Sequence, residues 1–205
     1  MKPHTLLACA ALLQAALPTA AQAGLIFTMQ ESGSDVVVTG SGSVDLTGLT
    51  LLGSTSSLAF ISTHATWGSA LSIGPVASEP VYSYGGLVSS DPDFGSSNLW
   101  TPASTGSGDK ISLIVNELTF LGPALHLPSA YVSGAALAAT STWLGASFAS
   151  LNLNPGTYTW TWGSGSHADS ATLIIGSVSE PGPLALGLAA ALAYRAGGRR
   201  RPTAS

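Results

Sequence analysis

The sequence predicts an all-β domain, an antiparallel β-sandwich or jelly-roll-like fold, followed by a single C-terminal transmembrane helix. Between residues 24 and 178, short runs of β-branched and aromatic residues alternate with Gly- and Ser-rich turns. The same region shows no long stretch with the 3.6-residue period of an amphipathic helix. Close to the C-terminus an apolar segment precedes several arginines, a pattern typical of a segment that halts in a membrane.

The N-terminus has the three parts of a secretory signal peptide, which we assign to residues 1–23. Lys2 supplies the positive charge, an apolar stretch follows, and Ala21 and Ala23 form an A-x-A cleavage site before Gly24. The apolar stretch is too short to span a membrane stably. We therefore expect cleavage and not a permanent N-terminal anchor.

The β-rich extracytoplasmic domain is predicted to cover residues 24–178, roughly 155 residues, which is enough for one domain with its own core. Predicted strands lie at 25–29, 36–39, 44–46, 58–61, 111–115, 118–121, 158–162 and 171–175. The Ala-rich stretch 133–150 fits either a short helix or a buried strand, and its Thr and Trp residues favour mixed or irregular structure. Many short strands with such turns indicate packed antiparallel sheets.

The clearest predicted strand places three rings on one face. Strict alternation puts Tyr158, Trp160 and Trp162 on one side and threonines on the other. Facing inward, the rings would supply the packing mass of one sheet, and facing outward they would form a glycan platform that stacks on sugars. Because so few residues of the domain are charged, we favour the core and keep the platform as the alternative.

Charge and cysteine content exclude several classes of function. Lys110 is the only Lys or Arg between residues 24 and 179, whereas nine of the ten acidic residues lie there. Nucleic-acid binding needs clustered basic residues, so we expect no nucleic-acid partner. Cys9 is the only cysteine and lies in the signal peptide, so the mature domain has neither a disulfide nor a cysteine nucleophile.

A calcium loop is the one metal site that the sequence suggests. Asp91 and Asp93 alternate before Gly95, as in loops that wrap a hard cation, but no glutamate follows at the spacing of an EF-hand. Pro92 and Gly95 explain an exposed turn equally well. We expect no metal and no cofactor, and leave calcium as the alternative.

The sequence contains no recognisable catalytic motif. His64, His126 and His167 are the only imidazoles after the signal peptide, and none forms an H-x-x-x-H pair. No serine lies in a G-x-S-x-G elbow, and His167 beside Asp169 is interpreted as a turn feature. We therefore expect a protein that is not an enzyme.

The C-terminal residues 179–205 predict a membrane-held tail. Ser179, Glu180 and Pro181 precede an apolar segment at 183–194. The stop-transfer residues after it are Arg195, Arg199, Arg200 and Arg201. These arginines and Lys2 would stay on the same, cytoplasmic side, which leaves the β domain outside.

This apolar segment is short for a segment that spans a membrane. As a helix, 183–194 would cover roughly 18 Å of a ~30 Å hydrocarbon core, and 181–198 would cover about 27 Å. The longer span includes Arg195, whose side chain can reach the headgroups by snorkelling. A C-terminal helix docked on the domain is the alternative, but such a helix does not need the arginines.

The C-terminal residues 179–205 resemble the PEP-CTERM sorting signal. They combine a motif with Glu and Pro, a short Leu/Ala/Gly-rich segment and an arginine-rich end. Glu180 and Pro181 match its motif, and Ser179 stands in place of the first proline. The stretch 155–176 resembles the last two strands often found before such tails. The resemblance implies processing by exosortase, a membrane enzyme of bacteria that make extracellular polysaccharide.

Together these features predict an exported, non-enzymatic envelope or extracellular-matrix protein with a structural or polysaccharide-associated role. It would be anchored in the inner membrane through its C-terminal helix before processing, and then reside in the cell envelope or outside the cell. A β-sandwich hydrolase or a carbohydrate-binding module remains the alternative. A hydrolase would need a cleft that joins two of the histidines to acids such as Asp91, Asp93 or Asp169.

Overall fold

The computed structural model describes residues 24–64, 68–89, 93–117 and 122–176, and for His64, Asn116 and Glu117 it describes the backbone alone. The predicted signal peptide, the sorting motif and the predicted transmembrane helix lie outside these residues. In the part that is described, no helix has the length and apolar character needed to span a membrane.

The described residues form thirteen β-strands and two short 3-10 turns, which confirms the all-β prediction. The strands are β1 (Gly24–Ser32), β2 (Asp35–Gly42), β3 (Thr50–Ser57), β4 (Phe60–His64), β5 (Gly68–Ile73), β6 (Glu79–Gly85), β7 (Trp100–Pro102), β8 (Thr105–Gly108), β9 (Ile111–Glu117), β10 (Gly122–Pro128), β11 (Leu137–Trp143), β12 (Gly156–Trp162) and β13 (Asp169–Ile175). The 3-10 turns are Leu46–Gly48 and Gly165–His167.

Most of the predicted strands lie within observed strands. The strand predicted at 58–61 is right only for its second half, because Leu58 and Ala59 form the link between β3 and β4. The strand predicted at 44–46 is wrong, because Asp45 caps the turn Leu46–Gly48 by accepting a hydrogen bond from the Thr47 amide. In the Ala-rich stretch, β11 is followed by turns, and the predicted strand at 118–121 falls outside the described residues.

The strands form two sheets. The first sheet has the order β12-β13-β1-β2-β11-β8, and the second has the order β3-β6-β10-β9-β5-β4-β7. Neighbouring strands are antiparallel except β1 and β13, which pair in parallel from Gly24 beside Ser170 to Met29 beside Ile175. The prediction of a wholly antiparallel fold is therefore wrong at this pair. Parallel neighbours need a long connection, and here nearly the whole domain connects them.

The two sheets face each other across one hydrophobic core. Alternate residues of β1, such as Phe27, belong to the same buried cluster as Leu113 and Leu125 of the second sheet. The described residues therefore form a two-layer sandwich. The outer face of the first sheet is rich in threonine, and the outer face of the second sheet is partly covered, as described below.

The aromatic strand β12 points its rings into this core. Tyr158, Trp160 and Trp162 are 8%, 0% and 4% exposed. The Trp162 indole N–H donates to the Asp45 carbonyl oxygen at 2.9 Å, and the Tyr158 ring meets Phe94 edge-on. The preferred prediction is confirmed, and the alternative of a glycan platform at these rings is wrong, because all three rings are buried in the hydrophobic core.

Candidate functional site

The outer face of the second sheet holds a cavity of about 530 Å³. This volume lies within the range of roughly 300–1,000 Å³ that small-molecule sites occupy. The described residues that line the cavity are Leu52, Gly53, Ser54, Thr55, Ser56, Ser57, Leu58, Phe60, Ser83, Trp100, Ile114 and His126. They come from β3, β4, β6, β7, β9 and β10 and from the short link between β3 and β4.

The cavity exists because the second sheet curls. Strand β3 forms one edge of this sheet and β4 lies next to the opposite edge, yet only Leu58 and Ala59 join the two strands. So short a link forces the end of β3 across the outer face of the sheet. The outer face is therefore concave and is partly roofed by β3.

Three serine hydroxyls hold the end of β3 against the sheet. Ser57 Oγ of β3 lies 3.0 Å from Ser72 Oγ of β5 and 3.2 Å from Ser112 Oγ of β9. Ser112 Oγ donates to Ser72 Oγ at 2.8 Å, and all three residues are buried. These strands are not neighbours of β3 in the sheet, so the contacts follow from the curling.

The floor of the cavity is built by strand alternation. Ser83 lies between Tyr82 and Tyr84 on β6, and both tyrosines pack against the core. His126 lies between two core leucines on β10 and is paired with Ser83 across the two strands. Because successive side chains point to opposite faces, Ser83 and His126 face the cavity side by side.

The rim of the cavity is aromatic. Trp100 on β7 is 54% exposed, although it is among the largest side chains in the domain. The centroid of its ring lies 5.7 Å from that of Phe60, and the ring planes are tilted by 31°. An exposed indole beside a polar cavity is a surface on which the apolar face of a ligand ring can stack.

The Ser83 hydroxyl is a buried polar group of the cavity. The residue is 5% exposed, and its hydroxyl has no hydrogen-bond partner among the described residues. The hydroxyls of Ser57, Ser72 and Ser112, in contrast, satisfy one another. A buried hydroxyl without a partner costs about 1–3 kcal/mol, and a ligand hydroxyl in the cavity would remove that cost.

The chemistry of the cavity suits an uncharged polar ligand. Its described lining combines hydroxyls, one imidazole, two aromatic rings and aliphatic side chains, and includes neither a carboxylate nor a cation.

Comparison with known protein families, with curated proteins and with solved structures finds no match to this chain.

The acids of the calcium alternative are only partly described. Asp93 Oδ1 accepts a hydrogen bond from the Ser69 amide at 3.1 Å, which ties this loop to β5. Asp91 lies outside the described residues. Within the described ranges, no three His, Cys, Asp or Glu side chains are grouped closely enough to hold a metal ion.

His167 pairs with a different acid from the one adjacent to it in sequence. Its Nδ1 lies 2.8 Å from Asp45 Oδ2, whereas Asp169 accepts hydrogen bonds from the amides of Asp45 and Ser170. Asp169 is buried, and this burial raises the pKa of its carboxyl. This cluster ties the turn at Leu46–Gly48 to the start of β13, so we assign it a structural role.

The Asp45 carboxyl is expected to make stability dependent on pH. Hydrogen bonds from Thr47, and more weakly from His167, hold its pKa well below the ordinary value of 3.8. A lowered folded-state pKa adds stability above pH 3.8 that is lost as the pH falls towards the folded-state value. Asp45→Ala should therefore lower the urea midpoint at pH 7, and its difference from the wild type should shrink below pH 3.8.

The matched control is His167→Gln, which keeps the Thr47 contacts and should lower the midpoint at pH 7 by less than Asp45→Ala. A difference between Asp45→Ala and the wild type that stays constant from pH 7 into the acid range would contradict the prediction.

Sequence reasoning missed Trp100, Phe60 and Ser83 as site residues. One signal was available, since Ser83 and His126 each stand between two apolar residues within a strand. Such a pattern places small polar groups on the face opposite the core. It does not show that this second face is covered, which depends on the path of β3.

Proposed function

We propose that the protein is an exported, non-enzymatic component of the envelope or extracellular matrix, sorted through a PEP-CTERM-like tail and associated with uncharged polysaccharide. The observation that carries the polysaccharide role is the cavity on the second sheet, where an exposed Trp100 stands over a hydroxyl-lined floor. Neutral sugars present both an apolar ring face and hydroxyls, which are the two features this cavity complements.

The surface charge of the domain supports a neutral partner. Lys110, the only Lys or Arg between 24 and 179, is 1% exposed, and its ammonium group donates to the Pro75 carbonyl oxygen. Burial lowers the pKa of this lysine. The described surface therefore displays no Lys or Arg with which to bind phosphates or acidic sugars.

The outer face of the first sheet offers a second surface of similar chemistry. One row of aligned residues crosses all six strands: Thr157, Ile174, Thr28, Thr39, Thr140 and Ser107. In the next row, the hydroxyls of Thr159 and Thr172 lie 3.4 Å apart. Apart from Asp35 at the start of β2, the residues of this face carry hydroxyls and methyls in place of charges, which suits contact with hydrated, uncharged polymers.

Binding is favoured over hydrolysis by the composition of the cavity. Most glycoside hydrolases use two carboxylates that flank the bond they cleave. No described residue that lines the cavity is a carboxylate. His126 faces the cavity, whereas His167 pairs with Asp45 in the cluster that supports the Leu46–Gly48 turn.

The strand ends that adjoin the two predicted processing sites in sequence are the start of β1 and the end of β13, which lie at opposite ends of this parallel pair. β1 begins at Gly24, the first residue after the predicted cleavage site, and β13 ends at Ile175, close to the motif at 179–181. Since β1 and β13 are parallel and aligned, these two ends lie about 17 Å apart along the strands. A tail held in the membrane, with one helix at 183–194, would leave the cleaved N-terminus facing away.

Intact-mass measurement of the protein from its native envelope tests the sorting proposal. We expect a mature species that begins at Gly24 and ends near Glu180-Pro181, because signal peptidase and an exosortase-like enzyme each cut once. Replacing Glu180 and Pro181 by alanine should leave the N-terminal cut unchanged and retain the tail. A native protein that keeps its full-length C-terminus would show a permanent anchor and contradict processing.

A further inference from the structure

We infer that the cavity of the second sheet binds the terminal residue of a neutral sugar chain, with the sugar ring against Trp100 and a sugar hydroxyl on Ser83. This inference rests on the proposed association with polysaccharide and adds which part of the polymer is recognised. It predicts end-recognition, meaning that the cavity binds the end of a sugar chain. An open groove or a flat face would instead bind the middle of a chain.

The cavity is closed on the side where β3 crosses the sheet. The hydrogen bonds of Ser57 to Ser72 and Ser112 hold the end of β3 on the floor. Leu58 and Phe60 continue the lining from there towards the rim. A polymer cannot pass beneath a strand that is hydrogen-bonded to the sheet, so the cavity is blind at this end.

The polar group in the cavity is placed for a ligand hydroxyl. Ser83 is nine-tenths buried, lines the cavity and has no partner among the described residues. Its neighbour His126 is also buried on the cavity side, with 6% exposure. A serine hydroxyl can donate one hydrogen bond and accept others, which matches a sugar hydroxyl that does the same.

The aromatic rim supplies the stacking surface. Trp100 and Phe60 are in contact at the entrance, and Trp100 keeps about half of its surface exposed. An apolar sugar face placed there covers exposed indole, and its edge hydroxyls face Thr55, an exposed lining residue on the same side of β3 as Ser57. The described lining lacks Lys and Arg, so neutral sugars are favoured over uronic acids and sugar phosphates.

The test is ligand-observed NMR on the full chain purified in a detergent without sugar groups. The probes are D-glucose, D-galactose, D-mannose and N-acetyl-D-glucosamine, followed by the linear homo-oligomers of whichever sugar binds. We expect at least one monosaccharide to bind and to displace its oligomer. The affinity should change little with chain length, because only the terminal residue enters the cavity.

Two variants link binding to the cavity. Ser83→Ala should weaken binding about tenfold, the effect of losing one hydrogen bond to a buried group. Trp100→Ala should weaken it at least as much, because the stacking surface is lost. The matched controls are Ser34→Ala and Ser166→Ala, two exposed turn serines outside the cavity and outside the outer face of the first sheet, and both should bind as the wild type does.

The outcomes separate this inference from the proposed function. If an oligomer binds but monosaccharides neither bind nor displace it, and Ser83→Ala has no effect, the end-recognition inference is wrong while polysaccharide association stands. If no probe binds, the end-recognition inference is wrong. If, in addition, the protein does not co-sediment with polysaccharide from its native matrix, the proposed association fails as well.

Discussion

Replacement of Trp160 by alanine is expected to lower the free energy of unfolding by about 3–5 kcal/mol, the cost of removing a large aromatic side chain from a packed core. Trp160 is 0% exposed and sits in the middle of β12, between the buried Tyr158 and Trp162. A loss of this size is a large fraction of the roughly 5–15 kcal/mol that stabilises an ordinary domain. Urea unfolding, followed by far-UV circular dichroism, measures it.

Phenylalanine variants separate packing from hydrogen bonding at the three tryptophans that are buried among the described residues. The Trp143 indole N–H donates to the Thr101 carbonyl and that of Trp162 to the Asp45 carbonyl, whereas that of Trp160 has no partner among the described residues. Trp160→Phe should therefore cost about 1 kcal/mol less than Trp143→Phe or Trp162→Phe. Equal costs at all three positions would contradict this interpretation.

Trp100→Ala is the matched control for the alanine series. This tryptophan is 54% exposed at an edge strand and contacts Phe60 at the cavity rim. Its removal should cost about 1 kcal/mol of stability or less, because surface substitutions perturb stability little. A loss as large as that of Trp160→Ala would show that the rim, and not the core, holds the second sheet together.

The sequence was most informative where the pattern is local. The alternation of rings and threonines at 158–162 predicted which side chains of β12 are buried, and the structure confirms the core interpretation. Hydroxyl-rich strands such as β3 and β5 were missed, because they carry few of the large β-branched or aromatic residues that mark a strand.

The cavity could not be predicted, because it depends on contacts that are distant in sequence. Ser57 meets Ser112 across 55 positions of the chain. The same limit applies to the parallel pairing of β1 with β13, which joins the first and last strands of the described chain. A run such as Leu71-Ser72-Ile73 predicts a strand with one buried face and one exposed face. Whether the exposed face is covered by another strand is decided by the fold.

The second prediction of a large loss of stability concerns Gly42, where the backbone of β2 lies very close to that of β1. Gly42 ends β2 with φ +138°, and a Cβ added there would lie 1.9 Å from the Gly24 carbonyl oxygen. Side chains rarely adopt this conformation, and the clash is with backbone that cannot rotate away. Gly42→Ala should therefore lower the free energy of unfolding by about 3–5 kcal/mol, through strain and displacement of β1 together.

Gly33 offers a matched control at the other end of the same strand pair. It also has a positive φ, +64°, but a Cβ added there meets nothing within 4 Å. Gly33→Ala should cost about 1 kcal/mol, from backbone conformation alone. Because Gly42 also borders Leu137 of β11, its substitution should loosen β1, β2 and β11 together, and their amides should exchange hydrogen faster. Equal losses for the two variants would mean that conformation alone, without the contact to Gly24, accounts for the effect at Gly42.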